Sequence, residues 1–493
     1  MKNLLNENKR KSFLEEIFEK HQLRDYQERA VLAALHYLKI YNSIVLVAPT
    51  GAGKTRIMRA IVDIAFQTDR KLLEFSHRDF LLQQFSEELE KINIPYGTIR
   101  AGHKKNLELN KNIQVGMINS IFSKWDYIFP QFLPDLLLFD ESHHGARNKK
   151  GEPNRSKKLI DFVLKMGGKC LGVTATPKRL DGSPLRDCFD FMYVVTTPQE
   201  LIKQKFLVPT KTFQNKNIID TTGLKILGGD FNQKQLQQLS IEKTINGDIL
   251  ENYKKKAIGR KNIIFAAGVE HSKMICDQFN EGGFSCAHLD AKTKKTERFE
   301  ILKDFKSGYL KNISNVGILT EGLDTPAVNC VQVARATESL SLYLQMIGRG
   351  MRIFKNKEFC MVLEHTNNCL NHGEADLNRR WSLDDDLKSS EGEAPSKICP
   401  ECFLMVHAAT RICPECEFEF KSKSNIKVIK GSLEEVEKQK VLNYEILLKV
   451  AKKRGYKKGW AYFLHKESSE GYFVKTDYFW KDYQEIESRN RAR

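Results

Sequence analysis

The sequence predicts an α/β chain: two doubly wound parallel-sheet lobes in tandem, then a small zinc ribbon and a basic helical C-terminal segment. Three observations predict it. Apolar strand-like runs alternate with helical patterns from about residue 22 to 195 and again from about 207 to 366, the order that builds parallel sheets covered by helices. A Gly-rich turn, Ala48-Pro49-Thr50-Gly51-Ala52-Gly53-Lys54-Thr55, joins the strand-like Ser43–Val47 to a helix-like run from Thr55 to Gln67. Two Cys-Pro-Glu-Cys knuckles follow the second block.

The Gly-rich turn is a phosphate cradle. Its backbone N–H groups point inward, and the following helix start adds partial positive charge. Lys54 can reach the β- and γ-phosphates of a nucleotide, and the Thr55 hydroxyl can ligate Mg²⁺. The usual pattern begins with Gly where this chain has Ala48, but Gly51 and Gly53 still permit the tight backbone. An ordinary Gly-rich loop would lack the strand before it and the helix after it.

Strand candidates in the first block are Ser43–Ala48, Lys71–Ser76, Gly97–Arg100, Ile113–Ile118, Leu136–Asp140 and Lys169–Ala175. Ligands in such sheets bind at the carboxyl ends of the strands. The fifth ends in Asp140-Glu141, 86 residues after Lys54. There Asp140 would hold the metal and Glu141 would align or deprotonate the attacking water. His143 and His144 follow. Adjacent residues face apart on a helix, so a coupling role for His143 is favoured over a shared metal.

With these residues in hand, Asp140-Glu141-Ser142-His143 resembles the DExH box of superfamily 2 helicases and translocases, and the other motifs come in that family's order. Leu23-Arg24-Asp25-Tyr26-Gln27 is similar to its adenine-reading segment, implying Gln27 as base contact. Phe75-Ser76-His77-Arg78 is similar to a strand-contacting motif, implying His77 and Arg78. Thr174-Ala175-Thr176-Pro177 is similar to motif III, implying Thr174 and Thr176 as links between the ATP site and the bound strand. Thr320-Glu321-Gly322-Leu323-Asp324 is similar to motif V, implying Thr320 on the nucleic acid and Gly322 and Asp324 at the nucleotide. Gln345-Met346-Ile347-Gly348-Arg349-Gly350-Met351-Arg352 is similar to motif VI, implying Gln345 at the nucleotide. The resemblance implies that both lobes are RecA-like.

In the second block the strand candidates are Asn262–Ala266, Phe284–His288, Val316–Leu319, Cys330–Ala334 and Phe359–Leu363, with helical patterns at Glu270–Asn280 and Thr296–Lys306. Arg349 and Arg352, three apart, would share one helical face. Both could enter a cleft shared with Lys54 and stabilise charge developing on the γ-phosphate, with Arg352 as the finger.

Cys399, Cys402, Cys413 and Cys416, with ten residues between the knuckles, suit tetrahedral Zn²⁺. A redox dithiol pair and an iron–sulfur site are the competing readings; His407 in the loop could substitute as a ligand, but with four cysteines available it reads as a polar loop residue. The acidic run Leu383-Asp384-Asp385-Asp386 to Pro395 reads as a solvated linker. Leu433–Lys453 is helix-like. Basic residues then interleave with aromatics from Lys452 to Tyr462, which suits either phosphate contact with base stacking or a small helical domain with a wet basic face. The expected divisions are an N-terminal helix over 1–21, lobe 1 over 22–200, lobe 2 over 207–366, a linker over 367–396, the ribbon over 397–420 and a basic segment over 421–493.

The 493 residues carry a formal charge of +17, an excess that favours a polyanionic partner such as nucleic acid. Residues 421–493 hold 18 Lys and Arg against 10 Asp and Glu, so the surplus is concentrated there. No apolar run approaches the ~18 residues of a membrane span. The N-terminus lacks a secretory layout, so no membrane partner is expected and the cytoplasm is the default.

Taken together, Met346–Ile353, Glu364-His365-Thr366-Asn367-Asn368 with His372-Gly373, Trp381-Ser382-Leu383-Asp384, the cysteine ribbon and Arg454–Ala461 resemble RadD-like repair ATPases and related phage helicases. That resemblance implies double-strand-break repair and recombination, with single-strand-binding protein and a recombinase as neighbours. The expectation is a DNA-dependent ATPase using ATP, Mg²⁺ and Zn²⁺. The alternatives are the motor subunit of a restriction or phage-defence system, and an ATP-gated nucleic-acid clamp. No strand-separating wedge is legible.

Overall fold

The structure, a computed structural model, describes residues 7–101, 107–144, 152–177, 185–214, 221, 223–227, 230–242, 245–320, 328–384, 396–408, 410–420 and 444–454, with 461, 465 and 486. The chain divides into two compact units, Met1–Lys421 and Ser422–Arg493.

The first unit contains two parallel sheets in tandem. Lobe 1 is built from β1 (Ser43–Val47), β2 (Leu72–Ser76), β3 (Gly97–Ile99), β4 (Ile113–Met117), β5 (Leu136–Asp140), β6 (Lys169–Thr174) and β7 (Phe191–Val194). Their order is β3-β4-β2-β5-β6-β1-β7. Every residue of β1 and β2 is buried, as strands covered on both faces require. The order places β1 and β5 on either side of β6, so the loops after β1 and β5 open on the same carboxyl edge.

Lobe 2 comprises β8 (Thr210–Gln214), a small hairpin of β9 (Ile226–Leu227) and β10 (Asp230–Phe231), then β11 (Asn262–Ala266), β12 (Cys286–Leu289), β13 (Asn312–Asn315), β14 (Cys330–Ala334) and β15 (Cys360–Glu364). Its main sheet runs β12-β13-β11-β14-β15-β8, all parallel. Among the described residues no helix is long and apolar enough to cross a membrane.

Several sequence expectations need correction. The apolar run Val316–Leu319 is a turn after β13, with Gly317 at φ 71°. The strand itself is the polar Asn312-Ile313-Ser314-Asn315. It is buried because its side chains find partners inside the sheet. Asn262 Nδ2 donates to Asn312 Oδ1 (3.1 Å), Asn315 Nδ2 donates to Ile264 O (2.9 Å), and Asn315 Oδ1 accepts from Leu319 N (3.2 Å). Polar groups satisfied this way lose little on burial, and hydropathy alone misses the strand. The edge strands β7 and β8 are also absent from the sequence reading.

The start of the acidic linker is docked on lobe 1 although Asp384 itself remains exposed. Leu383 is buried in the lobe 1 core. Arg186 donates to both carboxylate oxygens of Asp384 at 3.0 and 2.8 Å, and Arg186 N donates to Leu383 O. Asp376 accepts from Thr210 N at the head of β8, and its carbonyl accepts from Gln199 Nε2. The segment leaving lobe 2 therefore straps back onto lobe 1. Residues 385–395 lie outside the described residues.

β16 (Ser396–Ile398) and β17 (Met405–His407) form an antiparallel pair. It docks beside the β8 edge, where Gln214 N donates to Phe403 O (3.1 Å) and Phe213 bridges Leu404. Cys399, Leu404, Val406 and Cys413 share a core with Phe213, Met361 and Leu363. An otherwise open sheet edge is thereby covered. In the second unit, the helix Tyr444–Arg454 packs Ile446, Leu447 and Val450 around Ala461. The expected helical stretch 433–443 and the basic-aromatic run 455–460 lie outside the described residues.

The helix α1 (Glu7–His21) is pinned to lobe 1. After α2 (Asp25–Ile40) and β1, the helix α3 (Lys54–Gln67) carries a buried Asp63. Asp63 meets His21 Nε2 at 2.8 Å, Lys20 Nζ at 2.7 Å and Gln67 Nε2 at 3.0 Å. Because His21 Nδ1 accepts from Arg59 Nε, the Nε2 proton is the one given to Asp63. Burial raises the Asp63 carboxyl, but the bonds from His21, Lys20 and Gln67 outweigh it and bring it down to about 2. Its stabilisation is present above its ordinary value near 3.8 and lost as pH falls towards 2. Asp63→Asn should therefore cost about 3 kcal/mol at neutral pH in denaturant melts, with the gap to wild type closing as pH falls through that window.

Candidate functional site

The phosphate loop is shaped by two left-handed glycines, Gly51 (φ 88°) and Gly53 (φ 77°). Ala48 N donates to Thr174 O at 2.9 Å, tying the loop to β6. Gln27 and Tyr26 clamp it from α2: Gln27 Nε2 and the Tyr26 hydroxyl donate to Ala52 O at 2.8 and 2.9 Å. A Cβ on Gly53 would lie 2.5 Å from Gln27 Nε2, so the close approach itself demands glycine. Gln27, expected to read the base, is almost fully buried against this loop.

Lys54 and Thr55 begin α3, and Asp140 and Glu141 end β5. Lys54 Nζ donates to Glu141 Oε1 at 2.5 Å. Asp140 Oδ1 accepts from Glu141 N, which helps hold Glu141 at its positive φ of 49°. Burial pushes the Glu141 carboxyl up, but Lys54 and His143 prevail and keep it well below the usual carboxylate range. His143 Nδ1 lies 3.0 Å from Thr174 Oγ1 and 3.4 Å from Glu141 Oε2, while its Nε2 lies 3.5 Å from Ser341 Oγ in lobe 2. Thr174 Oγ1 in turn accepts from Thr176 N. His143, Thr174 and Thr176 thus form one buried chain running from Glu141.

The two histidines do not face apart. They occupy a 3₁₀ turn, with ring centroids 4.2 Å apart, and His77 packs edge-on to His144 at 5.0 Å. Burial draws His77 down to about 4; burial and the neighbouring His143 draw His144 down to about 2. Both are neutral at physiological pH. Among the described residues the four ribbon cysteines form the single group of three or more His, Cys, Asp or Glu placed to share a metal.

Lobe 2 reaches the same cleft. The helix Leu340–Gly348 ends before either arginine, so Arg349 and Arg352 do not share a helical face. Arg349 caps the helix and donates to Thr320 O through Nε (3.2 Å) and Nη2 (2.7 Å). Arg352 is extended and bridges Leu207 of the connector. The chain turns here because Lys357 Nζ gathers the carbonyls of Val328, Gly350 and Arg352. Even so, a cleft of about 590 Å³ is lined by Lys54, Thr55, Asp140 and Glu141 from one lobe and by Gln345, Arg349 and Arg352 from the other. Thr50, Gly51 and Gly53 also line it, while Ala52 is buried beneath the loop and half-buried Pro49 lines a separate small cavity with Ala175 and Thr196.

Thr320, expected on the nucleic acid, is buried and lines this cleft. Arg78 is exposed and reaches Gly317 O of lobe 2 at 3.5 Å. Gly322 and Asp324 lie outside the described residues. Sequence reasoning missed Phe206. The Arg24 guanidinium sits 3.8 Å over the Phe206 ring at the cleft wall, and a lone aromatic in a connector carries no motif to flag it. It also missed the closeness of the lobes. A Cβ on Gly348 would stand 2.4 Å from Thr50 Cγ2, and one on Gly51 would stand 2.7 Å from Leu207 Cδ2.

Two family models match the chain: Type III restriction enzyme, res subunit, over residues 20–179, and Helicase conserved C-terminal domain, over 243–354. The chain belongs to helicase superfamily 2. It is an ATP-hydrolysing enzyme of the helicase and translocase class. This superfamily 2 helicase is 28% identical over 403 residues to a "51.5 kDa protein" of a Lactococcus phage, covering 80% of this chain and 82% of that one. It is 26% identical to the "Putative ATP-dependent helicase IRC3" of Saccharomyces cerevisiae, spanning 69% of this chain but about half, 51%, of the yeast protein. Its fold matches the solved "ATP-dependent Type ISP restriction-modification enzyme LlaBIII bound to DNA" with a TM-score of 0.53 at 18% identity, over 70% of this chain and 27% of that one.

The four ribbon thiols lie within 4.8 Å of one another, with Cys399–Cys416 and Cys402–Cys413 sulfurs each 3.6 Å apart. A Zn²⁺ with about 2.3 Å Zn–S bonds spaces tetrahedral sulfurs about 3.8 Å apart, so the donor set fits that ion. Elemental analysis should return one zinc per chain, absent from a Cys399→Ser, Cys402→Ser double variant. Iron in its place, or no metal, would contradict the assignment.

Proposed function

We propose that this helicase is a DNA-stimulated ATPase motor serving repair or recombination. The observation that carries the reading is the convergence of Lys54, Thr55, Asp140 and Glu141 with Gln345, Arg349 and Arg352 on one cleft. ATP bound there is touched from both lobes. Lys54 meets the β- and γ-phosphates, and Arg349 and Arg352 approach the terminal phosphoryl from lobe 2. Thr55 and Asp140 would hold Mg²⁺, which would offset charge on the phosphate oxygens. Glu141, kept ionised by its neighbours, orients the attacking water and accepts its proton.

The nucleic-acid strand crosses the carboxyl edges of both sheets, near His77, Arg78 and the loop at Gly317. The His143 chain, touching Glu141 on one side and Ser341 on the other, couples lobe closure to the water-activating carboxylate. Closure on ATP and opening after hydrolysis then advance the strand. Gln27 fixes the phosphate loop and contacts the adenine with its remaining hydrogen-bonding capacity. Gly322 and Asp324 complete the nucleotide shell. A RadD-like role would bring single-strand-binding protein and a recombinase as partners, in the cytoplasm, with the ribbon and basic tail selecting the DNA.

A second reading, the motor of a restriction or phage-defence system, is favoured by the restriction-subunit model over residues 20–179. ATP turnover titrated with single-stranded, duplex and branched DNA and with RNA separates the two: branched or single-stranded DNA should stimulate best under the repair reading, duplex under the restriction one. Lys54→Ala should abolish stimulated turnover. Glu141→Gln should lower it at least about 100-fold while retaining ATP binding in a fluorescent-nucleotide titration. Full turnover in Glu141→Gln contradicts its role.

A further inference from the structure

The amino edge of the lobe 2 sheet carries a feature that the motor reading does not use. The register sets the starts of β11, β13 and β14 side by side, with Asn262 beside Asn312 and Cys330. The residues just before β11 and β13 are Lys261 and Lys311. Both flank one turn: a Cβ on Gly308 would stand 3.6 Å from Lys311 Nζ and 3.8 Å from Lys261 Nζ. Lys306 lies in the same turn, its carbonyl accepting from Lys261 Nζ at 2.8 Å.

Further basic groups extend the edge. The π-helical turn Tyr253–Ala257 carries Lys254, Lys255 and Lys256. Its Tyr253 hydroxyl donates to Arg260 O, and the Arg260 guanidinium lies 4.8 Å over Phe359 at the start of β15. Of the carboxylates nearby, Glu251 pairs with Lys254, Glu358 precedes β15, and Asp304 lies in the helix turn just before Gly308. Lys255, Arg260, Lys261, Lys306 and Lys311 make no ion pair among the described residues. Burial and the neighbouring Lys311 both lower the Lys261 ammonium, a sign of like charges held together.

Within this cluster stands Tyr309, 85% exposed, between the buried Leu310 and the glycine turn. Leu310 points inward, so Tyr309 and Lys311 on either side of it share the outer surface. An exposed aromatic ring among uncompensated cations suits single-stranded nucleic acid, whose phosphates meet the ammonium groups while a base stacks on the ring. A solvated basic face would need no exposed aromatic and would normally intersperse carboxylates.

We propose that the amino edge of lobe 2, centred on Tyr309 and Lys311, is a second single-strand-binding surface, separate from the strand path at the carboxyl edges. It engages a strand long enough to leave the motor cleft and pass around lobe 2. This inference rests on the DNA-motor reading, and its test separates the two.

The full chain is titrated by fluorescence anisotropy with oligo(dT) of about 10 and about 40 nucleotides. Wild type should bind the longer strand more tightly. Tyr309→Ala should weaken the longer strand about tenfold and leave the shorter unchanged. Lys255→Gln with Lys311→Gln should make the logarithmic salt dependence on the longer strand shallower by about 1.4. ATP turnover saturated with the short strand should stay at the wild-type level in all variants, which reports intact folding. Unchanged affinity for the long strand, or equal losses on both lengths, overturns the second surface and leaves the motor standing. Wild type that binds neither length overturns the motor reading with it.

Discussion

The architecture turns on one steric constraint: at the phosphate loop there is no room for a side chain from either lobe. Gly53 admits the Gln27 amide beneath the loop, Gly51 admits Leu207 of the connector, and Gly348 lies where a methyl group would strike Thr50. The approach at Gly53 packs α2 beneath the loop within lobe 1, and those at Gly51 and Gly348 set the spacing between the lobes. They bring the carboxyl ends of β1 and β5 opposite the end of the motif VI helix, and the cleft follows from that spacing. Gly51 and Gly53 are doubly constrained, because their positive φ would strain any larger residue as well.

Electrostatics then makes the cleft reactive. Two ionisable partners hold Glu141 as a carboxylate despite its burial, and one of them, His143, also faces lobe 2. Such a group is sensitive to lobe position in a way a solvent-exposed carboxylate is not, because Coulomb terms are strongest where water is excluded. The neutral His77 and His144 packed beside it add no competing positive charge. The strap from Asp376 to Asp384 ties the segment leaving lobe 2 back onto lobe 1, on the same molecule in which His143 faces Ser341.

Much of this was legible in the sequence, for reasons that particular residues illustrate. The central strands of lobe 1 are continuous apolar runs, and Lys54, Asp140 and Glu141 sit at the strand ends that such runs predict. The cysteine spacing announced its cluster. The polar strand Asn312–Asn315 was not legible, since its stability comes from side-chain amides paired across neighbouring strands. The expected shared helical face of Arg349 and Arg352 failed because Lys357 draws three carbonyls together and ends the regular chain there. Phe206, Leu207, Ser341 and Leu383 act through contacts between residues distant in sequence, and no local pattern records those. Thr320 carried a motif, but its surroundings place it in the cleft.

A cleft lined from both sides calls for one nucleotide gripped by both lobes at once. A solved structure of the chain with Mg²⁺ and ADP–aluminium fluoride tests it most directly. Lys54 Nζ and an Arg352 guanidinium nitrogen should each lie within about 3 Å of the terminal phosphoryl mimic, with Glu141 facing the attacking-water position. A nucleotide held by lobe 1 alone, with Arg349 and Arg352 turned away from it, would contradict the account.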